Sequence, residues 1–291
     1  MMKLSTLCLA TLTTILTTLS AFAQSSEFSL EKKPRWEAGL GVGYLNSFDY
    51  PGSKDPNVAQ FGLPFFIYRS RVFRVGDGGV GAIAVEEPRL QLDVSLGGSL
   101  NAESEPGSIR AGFPDLDLLF EFGPRLQYTL LDTQWATGSS SEVTWDSKVR
   151  TVLATDFKGI RAQGFVFASG LAFRQRAIAG EKIDLILNVD ISFADQRYND
   201  NFYTVPSEFV TEQRERYEAK AGYVESRLFL GLAIRPITSL RIFTGVTAFN
   251  YTYSANRNSP LFETNTSTQF AVGIVWSAFR SKRTIDVYKS S

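Results

Sequence analysis

Residues 115–130 alternate between apolar and polar side chains over a sixteen-residue stretch, DLDLLFEFGPRLQYTL. Successive side chains of a β-strand point to opposite faces. A strand of this length exceeds the roughly 5–6 residues usual in soluble sheets and suits a tilted membrane crossing, which needs about 9–11. The pattern predicts a strand with one lipid face and one aqueous face. The predicted lipid face consists of Leu116, Leu118, Phe120, Phe122, Pro124, Leu126, Tyr128 and Leu130.

The same alternation recurs along the chain. No segment after residue 23 has 18 consecutive apolar residues, so transmembrane helices are not predicted. Lipid cannot satisfy the open edges of a sheet, so membrane-spanning strands must close on themselves. We therefore predict an all-β fold, a transmembrane antiparallel β-barrel. Further alternating segments lie at 36–44, 89–100, 142–157, 183–193, 227–235 and 269–277.

The strand number follows from parity. Eleven strand segments are apparent, whereas single-chain bacterial barrels have an even number. Residues 71–85 contain Gly76-Asp77-Gly78-Gly79, a turn signal. Dividing this segment into two strands at the turn gives about 12 strands in total, and the first of the two new strands is short. Ten or fourteen strands are alternatives.

The twelve-strand arrangement also assigns the connections to the two sides of the membrane. Pro236–Ser239 and the 131–141 loop become periplasmic, and Lys158-Gly159 becomes external. Long external loops and short periplasmic turns are the bacterial pattern. The long loops predicted to be external are 48–56, 101–114, 199–216 and 254–266.

A soluble sheet with one wet face would alternate in the same way. Strand length argues for the membrane, and so do aromatic residues at strand ends, where interfacial girdles lie. The aromatic residues in question are Trp36, Tyr44, Trp145, Phe157, Tyr251 and Trp276.

The first 23 residues have the organisation of a secretory signal peptide. Lys3 precedes an uncharged run, and Ala21-Phe22-Ala23 forms an A-x-A cleavage site. A membrane anchor helix is the disfavoured alternative, because the run is short and rich in threonine. The only cysteine, Cys8, lies upstream of the cleavage site, so no disulfide is expected. We expect export to the outer membrane of a Gram-negative bacterium, and predict a signal peptide (1–23), a periplasmic lead (24–34), a barrel (35–279) and a polar extension (280–291).

Composition excludes several classes of function. The chain has 30 basic and 30 acidic residues and no histidine. Balanced charge argues against a nucleic-acid partner. Without histidine there is no Ser-His hydrolytic site, and zinc sites built on histidine or on mature cysteine are excluded. We predict a protein that is not an enzyme, with no catalytic, cofactor-binding or metal-binding residues.

Carboxylates are the remaining candidates for chemistry. Asp115, Asp117 and Glu121 would share one strand face, and paired carboxylates can hydrolyse glycans. The favoured interpretation is an ion-paired lumen wall balanced by basic residues on neighbouring inward faces. Those basic residues are Arg125, Lys148, Arg150 and Arg227.

Polar residues outside the strands are interpreted mainly as structural. Asp195, Arg197 and Asp200 are expected to scaffold a loop. The Asp49–Ser53 segment is expected to be a turn, because proline fixes φ and glycine tolerates positive φ; a binding role is the alternative. Acidic loop residues could bridge lipopolysaccharide through divalent cations, namely Glu103, Asp132 and Glu263.

An ordered set of motifs resembles the MipA/OmpV family of outer-membrane proteins, over roughly residues 36–279. Phe279 is the equivalent of the aromatic residue that usually closes the last strand in that family. Residues 280–291 continue past it, and we expect a disordered periplasmic extension there. The motifs are FDYPGS at 48–53, LPFFIYR at 63–69, FRV at 73–75, DGGVG at 77–81, DLD at 115–117, FADQRY at 193–198, FYTV at 202–205 and NSPL at 258–261.

The resemblance implies a scaffold or interaction role with a lytic transglycosylase and a penicillin-binding protein. The other expected partners are outer-membrane lipid and lipopolysaccharide, and the expected state is a monomer. A narrow channel for small solutes is one alternative, since twelve strands lie between filled and open barrels. A surface adhesin using loops 199–216 and 254–266 is another.

Overall fold

The computed structural model describes residues 30–69, 73–76, 79–82, 85–87 and 89–288. Strands occupy most of this part of the chain, and the predicted signal peptide lies outside it. The strands are β1 (Leu30–Pro34), β2 (Trp36–Phe48), β3 (Pro56–Arg69), β4 (Phe73–Gly76), β5 (Gly79–Ala82), β6 (Val85–Glu86), β7 (Leu90–Ser99), β8 (Leu118–Gln134), β9 (Ser140–Thr155), β10 (Ile160–Ala177), β11 (Ile183–Ala194), β12 (Gly222–Ile237), β13 (Leu240–Asn250), β14 (Thr266–Arg280) and β15 (Thr284–Tyr288).

The main sheet is an antiparallel meander that curls into a barrel. Its order is β5-β4-β3-β2-β14-β13-β12-β11-β10-β9-β8-β7-β6, so β2 and β14 pair although they lie at opposite ends of the sequence. At the two edges, β6 pairs with β7, and Cα atoms of β5 come within 8 Å of those of β7. The two edges of the sheet therefore lie close together, as the closure of a membrane-spanning sheet requires.

The strand count agrees with the prediction of twelve. β4 and β5 form the hairpin predicted at the Gly76–Gly79 turn, with Gly76 paired to Gly79. β5 and β6 run in the same direction and are separated only by residues 83–84. Counted as one strand, they make the main sheet twelve-stranded over the described residues. β4 has only 4 residues, as expected for the short first half of the split.

The outer face of the barrel is apolar and exposed. On β8, Phe120 and Phe122 are 51% and 43% exposed, whereas Glu121 between them is 9% exposed. A soluble protein rarely exposes a continuous apolar surface of this kind, but a transmembrane barrel requires one. The predicted lipid faces are therefore confirmed, as further outward side chains on other strands illustrate: Leu40, Leu63, Val149, Leu171, Val189, Leu230, Val246 and Ile274.

Two apolar residues assigned to the lipid or its interface lie elsewhere. β8 begins at Leu118, because Leu116 instead forms an isolated antiparallel bridge with Ala102, and Leu116 is 4% exposed. Tyr251 is not an interfacial aromatic: it is 2% exposed, and its hydroxyl lies 2.8 Å from Ser267 Oγ. Leu116 is buried by a contact between two parts of one loop, and Tyr251 is buried beside the start of β14.

The two ends of the barrel differ in their connections. Short connections join the strands at the end where β2 begins and β14 finishes, here called the terminal end. The opposite end carries all four long loops, as the sequence predicted. We call these four segments together the cap: residues 49–55, 100–117, 195–221 and 251–265.

A two-stranded ribbon continues from the terminal end. β1 pairs antiparallel with β15, from Leu30↔Tyr288 to Pro34↔Thr284. Arg35 N donates to Arg283 O at 2.9 Å, which joins the ribbon to the β2–β14 pair. The expectation of a disordered extension at 280–291 is therefore wrong for Thr284–Tyr288, because these residues find backbone partners in the N-terminal lead.

The helices are short. Helix α1 (Ile178–Glu181) connects β10 to β11, helix α2 (Gln196–Tyr203) lies in the cap, and a 3₁₀ turn covers Ser207–Phe209. Among the described residues, no helix is long and apolar enough to cross a membrane.

Candidate functional site

Ion pairs line the interior of the barrel. Arg125 on β8 donates from Nε to Asp93 Oδ1 at 2.8 Å, across the β7–β8 pair. Asp146 on β9 lies 3.1 Å from Lys148 Nζ and 4.0 Å from Arg125 Nε. Period-two alternation places these charges on the inward face of adjacent strands. Asp93, Arg125, Asp146 and Lys148 therefore form a chain of alternating charges along the lumen.

A second group of ion pairs involves Glu121. Its carboxylate accepts from Arg150 Nη1 at 2.8 Å, and Arg150 Nε donates to Ser95 Oγ at 2.8 Å. A β-carbon placed on Gly97 would lie 2.4 Å from Arg150 Nη1, so glycine leaves the room that the guanidinium occupies. The predicted ion-paired role of Glu121 is confirmed, with Arg150 as its partner.

The other two predicted lumen carboxylates behave differently. Asp117 forms an ion pair with Arg161, and Asp115 accepts from Ser104 N at 2.8 Å within the cap. Because β8 begins at Leu118, Asp115 and Asp117 do not share a strand face with Glu121. The acidic column expected from the alternation is therefore wrong at these two positions.

Further pairs lie on the later strands. Arg227 Nη2 lies 2.9 Å from Asp190 Oδ1, between β12 and β11. Near the terminal end, Arg235 Nη2 contacts Asp184 at 2.9 Å. Arg227 thus has the ion-paired inward role that the sequence predicted, on a different pair of strands from Glu121.

A buried ion pair closes the terminal end. Glu37 on β2 and Arg69 on β3 are 4% and 2% exposed, and Arg69 Nη1 donates to Glu37 Oε1 at 2.8 Å. Ser277 Oγ donates to Glu37 Oε2 at 3.1 Å, and Arg69 Nη1 also reaches the carbonyl of Pro34 at 3.0 Å. This one pair connects β2, β3, β14 and the start of the ribbon.

The cap is a folded unit that enters the mouth of the barrel. Tyr198, Phe202 and Tyr203 on or beside α2 pack in one buried cluster with inward-facing wall residues. Burial raises the pKa of Tyr198 and of Tyr203 well above the ordinary range of tyrosine. The wall residues of this cluster are Leu119, Val152, Ala154, Val166, Ala194 and Val224.

Hydrogen bonds connect cap loops that are distant in sequence. Tyr50 OH donates to Leu261 O at 2.7 Å, and Tyr203 OH donates to Pro51 O at 2.6 Å. Ser259 Oγ in turn donates to Tyr203 O at 2.7 Å. These residues belong to the motifs at 48–53, 202–205 and 258–261, so three separate motifs meet at one place.

The predicted structural roles of the polar loop residues are confirmed at three positions. Asp195 caps α2 by accepting from Tyr198 N at 3.0 Å, and Asp200 accepts from Thr204 Oγ1 at 2.7 Å. Gly52 has φ of 86°, and Ser53 N donates to Tyr50 O at 3.1 Å, as a turn requires. The backbone carbonyl of Arg197 also has a structural role, because it accepts a hydrogen bond from Gln163 Nε2 at 2.6 Å.

One acid of the cap has an unusual environment. Burial, together with the nearby charge of Asp55, raises the pKa of Asp49 to about 6. Its position directly after β2 places it at the rim of the barrel. This carboxyl therefore keeps its proton to a higher pH than an ordinary aspartate does.

Two buried arginines in the cap were not singled out by the sequence. Arg110 and Arg214 are each 7% exposed, and their guanidinium carbons lie 5.0 Å and 4.6 Å from the ring centre of Phe113. Phe113 stacks on Phe209 at 4.4 Å. The concentration of aromatic and arginine residues in these loops is the sequence signal that could have found them.

A pocket of about 640 Å³ lies beside this stack, between residues 110–114 and 196–218. Buried Arg110 lines it, and burial lowers the pKa of Arg110. Across the part of the chain that the structure describes, no three His, Cys, Asp or Glu side chains are grouped so as to hold a metal ion.

The curled sheet, the apolar outer face and the charged lumen define a transmembrane β-barrel of the outer-membrane type. A profile of the family described as MltA-interacting protein MipA matches residues 38–278. The chain belongs to this family, as its motifs indicated.

No curated protein matches the sequence. The solved structures that resemble the fold include the CymD monoaromatic hydrocarbon channel, with 11% identity, TM-score 0.32 and coverage of 84% of this chain and 89% of that chain. The toluene transporter TbuX of Ralstonia pickettii is 10% identical, with TM-score 0.29 and coverage of 86% and 77%. OmpT of Vibrio cholerae is 7% identical, with TM-score 0.26 and coverage of 85% and 99%.

Proposed function

We propose that this barrel is a non-enzymatic scaffold that holds a murein-cleaving lytic transglycosylase, and with it a penicillin-binding protein, at the outer membrane. The family description names an interaction with MltA, and this supports a protein partner. The proposal places the cap outside the cell and the terminal end in the periplasm of a Gram-negative bacterium, after cleavage of the signal peptide.

The ribbon of β1 and β15 is the observation that carries the proposal. It continues past the barrel at the end opposite the cap, and in a two-stranded sheet each strand leaves one edge unpaired. An exposed strand edge can accept a strand of a partner through backbone hydrogen bonds. Exposed basic side chains at its base add a positive surface, formed by Lys32, Arg280, Lys282 and Arg283.

The ion-paired lumen also supports a structural role. Glu121, Asp93 and Asp190 each lie within 3 Å of a guanidinium, so these carboxylates are held in ion pairs between neighbouring strands. The barrel is therefore proposed to act through its surfaces, as a monomer in contact with lipid and lipopolysaccharide.

Capture of a purified lytic transglycosylase by the full barrel in lipid nanodiscs tests this proposal. Charge reversal at the terminal end, with Lys282→Glu and Arg283→Glu together, should weaken capture at least tenfold. The matched control reverses two exposed basic residues of the cap, with Lys54→Glu and Arg257→Glu. Failure of the unmodified barrel to capture the enzyme, or equal loss from both ends, would contradict the scaffold role.

A further inference from the structure

We propose that the pocket in the cap binds a short peptide that has a free carboxyl terminus and a cationic side chain. The pocket has a volume of about 640 Å³, within the range of small-molecule sites. It lies at the end opposite the ribbon, so it is independent of the proposed scaffold surface.

Arg110 provides the first part of the argument. Its Nη1 and Nη2 donate to the carbonyls of Phe202 and Pro114 at 3.3 Å and 3.4 Å, and its buried Nε has no acceptor. Among the described residues, no carboxylate forms an ion pair with it. Carbonyls and the rings of Tyr50 and Phe113 surround this guanidinium, and a buried cation without a paired carboxylate is costly. A bound carboxylate would supply the missing counter-charge.

Asn201 provides a second, independent donor. Its Nδ2 is buried without an acceptor, and both Asn201 and Arg110 line the pocket. The two are neighbours in space, because Arg110 binds the carbonyl of the residue that follows Asn201. Two unsatisfied donors on one wall match the two oxygens of a carboxylate.

The other residues that line the pocket indicate which further chemical groups the ligand carries. Phe113 and Phe209 form a stacked apolar wall, and Tyr217 lines the same pocket. The exposed lining contains three acids, Asp200, Glu208 and Glu218, and one base, Arg216, so acids outnumber bases there. An anionic end at Arg110, an apolar body and a cationic end at the acids together describe a peptide carboxyl terminus with a nearby lysine or arginine.

Calorimetric titration of the full barrel in detergent micelles tests this with the tripeptide Lys-Ala-Phe and its carboxyl-terminal amide. The free acid should bind, and the amide should bind at least about tenfold more weakly, because it loses a charge-assisted hydrogen bond. Equal binding of the two, or no binding of the free acid, would overturn the proposal.

Variants separate ligand contact from cap folding. Asn201→Leu should weaken binding of the free acid about tenfold while the cap stays resistant to protease, because this amide nitrogen has no partner to lose. Glu208→Gln should weaken binding of Lys-Ala-Phe but not of Ala-Ala-Phe, and the exposed Glu212→Gln, outside the pocket, should change neither. Unchanged affinity in Asn201→Leu would show that the pocket does not use this donor and would contradict the assignment.

Discussion

Arg69 donates a hydrogen bond of 2.8 Å to Glu37, and the two side chains are almost completely buried where the first long strands meet the terminal ribbon. Desolvating two charges is expensive, so such a pair stabilises only while both partners are present. The pair therefore makes the terminal end sensitive to single substitutions.

Glu37→Gln should lower the free energy of unfolding by about 3–5 kcal/mol, because it removes the negative charge that Arg69 Nη1 contacts while both side chains stay buried. Urea titration in lipid vesicles measures this change. Asp184→Asn is the control, since its partner Arg235 is 37% exposed and a pair open to water contributes only about 0–1 kcal/mol. Equal losses in the two variants would show that burial does not set the strength of these pairs.

Asp49 should make the cap less stable as pH rises. Its pKa is raised from 3.8 to about 6, so the folded cap binds this proton more tightly than the unfolded chain does. Stability is therefore greatest below about pH 4 and falls as pH rises through about 6. Hydrogen exchange of the Tyr50–Ser53 amides should show this fall.

Asp49→Asn should remove that part of the pH dependence and protect the same amides better at neutral pH. Glu212→Gln, an exposed change in the same cap, should leave the dependence intact. An unchanged profile in Asp49→Asn would assign the titration to another group.

Gly164→Ala should destabilise the cap more than backbone strain alone explains. Gly164 has φ of 99°, and a β-carbon there would lie 2.1 Å from Asp195 Oδ1, the atom that caps α2. Gly107 has the same φ with nothing within 4 Å, so Gly107→Ala isolates the strain, about 1–3 kcal/mol. The rate of proteolysis within 195–221 compares the two, and equal rates would mean that the contact with Asp195 is unimportant.

Phe202→Ala together with Tyr203→Ala should increase ion conduction through the barrel. Each side chain is 1% exposed in the cluster that fills the barrel mouth, and truncating buried aromatics costs about 3–5 kcal/mol each. Planar-bilayer recording measures conductance, and heat-modifiable gel mobility checks that the barrel still forms. Phe157→Ala, at an 82% exposed position of the same end, should change nothing. Large, reproducible steps from the unmodified protein would instead favour the channel function.

The sequence predicted which side chains face outward and which face inward wherever the alternation within a single strand determines this. Phe120 and Phe122 face outward because a two-residue period leaves no other choice once Glu121 is inward. The requirement for an even number of strands and the Gly76–Gly79 turn were enough to divide β4 from β5. They also assigned the long loops to one end of the barrel. The charge balance of the inward faces indicated the lumen pairs, although not which acid would meet which base.

The cap could not be predicted in the same way. Leu116 and Tyr251 leave the pattern because their partners are Ala102 and Ser267, contacts that no local period specifies. Tyr50 and Leu261 are brought together by a fold that spans most of the chain. The pocket in the cap depends on such long-range contacts too, and so does the pairing of β1 with β15.

The pairing of β2 with β14 also sets an order of assembly. Hairpins such as β8–β9 can form as soon as their own residues are present, because their loop is short. Joining β2 to β14 requires strands from the two ends of the sequence to meet, so this pairing closes the longest loop of the main sheet. Pairing of β2 with β14 should be the slowest step in folding. The β1–β15 ribbon, which continues from this pair, would then stabilise the closed barrel against reopening between β2 and β14.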